Sequence, residues 1–215
     1  PPGGEVLLLG SYFETGWDSW IDGGSDATRT NNSANAWEGL YSIRLTDNSG
    51  TQSAMTSPVF NLSNATGLEI EFYFKAVSME TGEDFWIQYK NGSGAWTTIG
   101  QAIAGTHFNN NTFYVATQTV PGFVPTTAGS LRIQCDASDD SDKIFVDAVK
   151  ITKFTGPALI KEGLQIKTIL ELPDAPVDTI SSNEIAEPTV YPNPVNDVLH
   201  IAFEGDIQSI RMMSI

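Results

Sequence analysis

The stretch Leu68–Val77, LEIEFYFKAV, constrains the fold most. Leu68, Ile70, Phe72 and Phe74 alternate with Glu69, Glu71, Tyr73 and Lys75. A period of two places all four apolar side chains on one face of a strand, whereas a helix would scatter them. Such a strand has one buried and one wet face and needs partners on both edges. Other segments share its texture: Val6–Phe13, Gly39–Thr46, Ala54–Phe60, Phe113–Val120, Leu131–Asp136 and Ile144–Thr152. Phe85–Lys90 and Trp96–Ile99 flank NGSGA, a hairpin signature. About nine or ten short strands with turn signals between them predict an all-β chain, a jelly-roll β-sandwich.

Hydrophobic residues make up 40% of the 215, enough for a core. The net charge of −15, with scattered Lys and Arg, excludes a nucleic-acid or anionic-membrane partner, since both need a basic footprint. No stretch is long and apolar enough to span a membrane. The single cysteine, Cys135, shares a strand face with Leu131 and Ile133 and reads as a small core hydrophobe. The opening PPGGE reads as a linker, which implies a longer precursor. After Phe154 the strand texture fades. The expected organisation is a module over 1–155, a linker over 156–188 and a second, small β unit beginning at 189.

Two families are resembled. FETGWDSW (13–20), EGLYSIRL (38–45), DFWIQYKNGSGAW (84–96) and DKIFVDAVKI (142–151) are similar to the MAM-like and carbohydrate-binding-module-like jelly rolls of secreted bacterial proteins. YPNPVNDVLHI (191–201) resembles the start of the C-terminal sorting domain of type IX secretion cargo in Bacteroidetes, a small β-sandwich. Its signature is Tyr191, Pro192, Asn193 and Pro194, followed by alternating apolar residues. This resemblance implies export by the type IX translocon, then release or attachment at the outer-membrane surface. Read as bare residues, YPNP is also a rigid turn before a hairpin, because its prolines fix φ.

A metal is expected near the closing strand. Run without a bulge, that strand puts Asp147 on one face with Phe145, Val149 and Ile151. A carboxylate among core side chains is costly unless paired. The jelly-roll resemblance places Glu14 beside it and implies a structural Ca²⁺ at Glu14 and Asp147, with Asp142 as a further ligand. The alternative is that Asp147 accepts hydrogen bonds from turn amides.

Sugar binding requires aromatic faces with polar neighbours. The alternation assigns Tyr73, Trp86, Gln88 and Tyr114 to wet strand faces, with Glu71, Arg44, Arg132 and Gln134 beside them. Trp17, Trp20 and Trp37 offer a second, loop-borne platform, although for any single one of them core or rim packing is the plainer reading. Glu69 and Glu71 lie about 7 Å apart along one strand, near the separation of paired glycosidase carboxylates. Lys75 beside them makes solvated acids the plainer reading. No H-E-x-x-H, G-x-S-x-G or phosphate loop occurs. These observations imply a non-catalytic accessory module that binds a polysaccharide. A structural or adhesive module and a glycoside hydrolase are the alternatives.

Overall fold

The computed structural model describes residues 4–156, 163–169, 189–191 and 200–202. The chain divides into two compact units, Pro1–Ile169 and Leu170–Ile215. Among the described residues the first has twelve strands: β1 Gly4–Ser11, β2 Ile21–Asp22, β3 Ala27–Asn31, β4 Tyr41–Thr46, β5 Ala54–Thr56, β6 Gly67–Val77, β7 Asp84–Asn91, β8 Thr97–Ile103, β9 Phe113–Thr119, β10 Gly129–Asp136, β11 Lys143–Thr155 and β12 Leu164–Thr168.

Seven strands form one antiparallel sheet in the order β12-β9-β6-β11-β4-β3, with β1 alongside the second half of β11. The other sheet has the order β2-β5-β10-β7-β8. The core lies between them, as alternation on β6 requires. Leu68, Ile70, Phe72 and Phe74 are fully buried, and Ile87, Leu131, Ile133 and Cys135 meet them from the five-stranded sheet. Phe74 packs edge-on against Phe85 at 4.9 Å and against Phe108 at 5.4 Å. Burial pushes the Cys135 thiol up to about 12, which keeps it protonated and inert.

Three expectations need correction. The first unit continues past residue 155, because Leu164–Thr168 pairs with β9 as an edge strand. The segment 156–188 is therefore not linker throughout. Tyr114 is buried rather than wet. It stands opposite the inward Phe74 and stacks on it at 5.5 Å, while its neighbour Phe113 faces out opposite Lys75. Finally, β11 is bulged between Asp147 and Lys150, where Ala148 adopts φ 45°. The bulge reverses the alternation. Val149 and Ile151 join the core, but Phe145 and Asp147 lie opposite Lys75 and Tyr73 on the outer face.

In the second unit, β13 Thr189–Tyr191 pairs antiparallel with β14 His200–Ala202, Val190 opposite Ile201. Pro192, Asn193 and Pro194 lie outside the described residues.

Candidate functional site

The outer face of the seven-stranded sheet is partly covered by the loop between β3 and β4. Trp37 stacks on Tyr73 at 4.6 Å, nearly parallel, with Phe113 edge-on at 5.5 Å. Two carboxylates hold the loop down. Asp147, 1% exposed, accepts Trp37 N–H at 2.7 Å and Glu38 N–H at 3.0 Å on Oδ2, and Ala148 N–H at 2.7 Å on Oδ1. Glu14 accepts Leu40 N–H and Tyr41 N–H, both at 2.9 Å, on Oε1. Gly39 lies between these amides with φ 61°, and a Cβ there would collide with the Glu14 carboxylate. Burial raises the Asp147 carboxyl to about 6, against the pull of its three amide donors. The geometry at Asp147 is thus the amide-accepting one. Those hydrogen bonds meet the need for a partner that motivated a cation at Glu14 and Asp147.

Asp142 belongs elsewhere. Its carboxylate accepts Asp139 N–H at 3.2 Å and Ser138 Oγ–H at 3.3 Å. It lies with Glu80 and Glu83 in a group whose oxygens are all within 4.8 Å of one another. Glu80 titrates high because it shares a hydrogen bond with Glu83 and feels the charge of Asp142. The expected set of Glu14, Asp147 and Asp142 is not assembled.

The loop tryptophans do not form a platform together. Trp20 is buried and donates to Ser11 Oγ at 3.0 Å, Trp17 packs against the core, and Trp37 lies on Tyr73. Glu71 faces out on the same sheet, 3.5 Å from Lys150. Together with Glu5, Glu69 and Lys167 it lines a shallow pocket of about 300 Å³. Glu69 and Glu71 rise side by side from one strand, so they do not flank a bond from opposite sides as paired glycosidase acids do.

The outer face of the five-stranded sheet differs. Asp84, Trp86 and Gln88 on β7 and Arg132, Gln134 and Asp136 on β10 alternate with core residues and share this face. Register sets Arg132 opposite Gln88, Gln134 opposite Trp86 and Asp136 opposite Asp84. Arg132 donates from Nε to Gln88 Oε1 at 2.7 Å, and Gln88 donates to Thr98 Oγ1 at 3.2 Å. The Arg132 guanidinium lies 4.6 Å from the Trp96 ring centroid. Among the described residues no carboxylate pairs with Arg132, and burial lowers its pKa. Gln88 and Gln134 are 5% and 6% exposed, low values for the outside of a sheet. The face therefore combines two indoles with a guanidinium and largely buried amides.

The structure thus brings together Trp86, Gln88 and Arg132 of the expected ligand set, and separates them from Tyr73, Glu71 and Tyr114. Trp96, Asp84, Asp136 and Gln101 were not among the expected residues. For Asp84 and Asp136 the signal was present, since each is two residues from a residue on the wet face. For Trp96 there was none, because the register shift between Ile87 and Gln88 in the β7–β8 pair hides its placement.

No family model matches the chain, and no curated protein matches its sequence. Solved structures do match. The CBM22-1 xylan-binding domain of Paenibacillus barcinonensis Xyn10C aligns over 74% of this chain and 100% of its own, with TM-score 0.50 and 17% identity. The CBM22-1–GH10 modules of Clostridium thermocellum Xyn10B, complexed with xylohexaose, align over 72% of this chain and 30% of theirs, with TM-score 0.51 and 18% identity. The first unit has the jelly-roll β-sandwich fold that these solved structures share.

Proposed function

We propose that this chain is a non-catalytic accessory module that binds a polysaccharide on the outer face of its five-stranded sheet. The supporting observation is the row Trp86, Gln134, Gln88, Arg132 and Trp96. Sugars present apolar ring faces to indoles and hydroxyls to amides and guanidinium groups, and this row supplies both. Gln134 makes no hydrogen bond within the described residues, and Arg132 has no carboxylate partner. Such polar groups are available to a ligand. The fold similarity to a xylan-binding domain makes β-linked cell-wall polysaccharides the first class to test. Such a module would concentrate an attached activity on its substrate.

Within the same reading, YPNPVNDVLHI directs the protein through the type IX secretion system to the outside of the cell. The β13–β14 pairing is compatible with this and with a simple hairpin, so the assignment rests on the sequence pattern. Calcium is retained as the module's cation. Retention on a panel of insoluble polysaccharides tests the binding reading. Binding that vanishes in Trp86→Ala and survives in Glu71→Gln supports it, and no retention on any polysaccharide sinks it.

A further inference from the structure

Asp84 and Asp136 face each other across the β7–β10 pair. Both project outward, since the neighbouring Phe85 and Cys135 are in the core. Directly opposed residues have Cβ atoms about 4.5–5.5 Å apart, and like charges so placed repel. Together with Asn48, Thr81, Glu83 and Ser138 they line a pocket of about 500 Å³ whose lining contains no Lys or Arg. Burial and the charge of Asp84 both raise the pKa of Asp136.

One buried polar atom here lacks a partner, and one neighbouring amide is unbonded. Asp84 is 7% exposed; its Oδ2 accepts the Gln101 amide, but its buried Oδ1 has no hydrogen bond. Gln134 is two residues before Asp136 on the same face. It is 6% exposed, and its amide makes no hydrogen bond among the described residues. A buried carboxylate oxygen is ordinarily bonded, and leaving it bare is costly. The carboxylate repulsion and the bare Asp84 oxygen share one remedy, a cation that takes oxygen ligands.

We propose that this corner of the five-stranded sheet is a divalent-cation site of the calcium class, with Asp84 Oδ1, the Asp136 carboxylate and the Gln134 amide oxygen as protein ligands. Calcium accepts carboxylates, amide carbonyls and water in flexible geometry, and a strand-borne set of mixed oxygens suits it. Softer metals prefer sulfur or imidazole, and the pocket lining has neither. The site's proposed ligands are distinct from the Glu80–Glu83–Asp142 group, of which Glu83 also lines this pocket and in which Glu83 and Asp142 already accept backbone N–H groups. The site shares only Gln134 with the sugar-binding row, and its two carboxylates lie outside that row.

Trp86, two residues from Asp84 on the same face, provides a reporter. In the full chain, terbium emission excited through tryptophan is expected to rise on binding and to be displaced by calcium. Trp86→Phe removes most of that emission while calorimetric calcium affinity stays. Outer-shell partners alone influence metal affinity about ten- to a hundred-fold, so loss of a ligand in Asp84→Asn or Asp136→Asn weakens calcium at least about tenfold. Should either variant fail to fold, Gln134→Leu gives the same readout. Calcium affinity unchanged in all three ligand variants, or terbium emission surviving Trp86→Phe, overturns the proposal.

Discussion

The two outer faces of the sandwich carry similar residues and use them differently. Each has aromatic rings and buried or half-buried acids. On the seven-stranded side most groups are satisfied within the chain, although the buried Ser42 Oγ and Arg44 Nε lack hydrogen bonds. Trp37 lies on Tyr73, Asp147 and Glu14 accept consecutive amides, and Lys150 meets Glu71. On the five-stranded side Arg132 has no acid, Gln134 has no hydrogen bond and one oxygen of Asp84 is bare. Aromatic content does not distinguish a structural face from a recognition face; on the five-stranded side the unpartnered groups share a row with Trp86 and Trp96.

Predictions follow that contrast in order of size. Asp147→Ala orphans three backbone N–H groups, so urea unfolding should show a loss of about 3 kcal/mol. A loss below about 1 kcal/mol would mean that the loop does not depend on the clasp. The same carboxyl makes stability depend on pH. Its folded pKa, about 6, exceeds the ordinary 3.8. Its contribution is then fully present below pH 3.8 and is lost as pH rises through 6, by up to about 3 kcal/mol. The urea midpoint should fall across that window in the native chain and stay flatter in Asp147→Asn.

Smaller effects separate the two tryptophan-bearing faces. Tyr73→Ala removes the stack beneath Trp37 and should cost about 1–2 kcal/mol of stability with polysaccharide binding unchanged. Trp86→Ala should do the reverse, weakening binding about tenfold, or about 1.4 kcal/mol, with little effect on the melt. Glu71→Gln breaks only an exposed ion pair and should move stability by less than about 0.5 kcal/mol.

Much of the fold was legible because alternation is a local property. LEIEFYF identified β6 and its buried face, and the same rule placed Trp86, Gln88 and Arg132 on one surface. It failed where a backbone irregularity broke the period. The bulge at Ala148 turned Phe145 and Asp147 outward, and the register shift near Gln88 hid the placement of Trp96. Tyr114 was misjudged because its phase depends on its partner Phe74, a long-range fact. Alternation also cannot tell which sheet a strand joins. Tyr73 and Trp86 read as one wet surface although they lie on opposite sheets.

The central claim is that ligand meets the five-stranded face. The chain has five tryptophans, so five indole N–H signals report on both faces in one spectrum. Titration with a polysaccharide fragment that the protein retains should shift the Trp86 and Trp96 signals and leave Trp37 in place. Shifts at Trp37 with Trp86 and Trp96 unmoved would contradict the account.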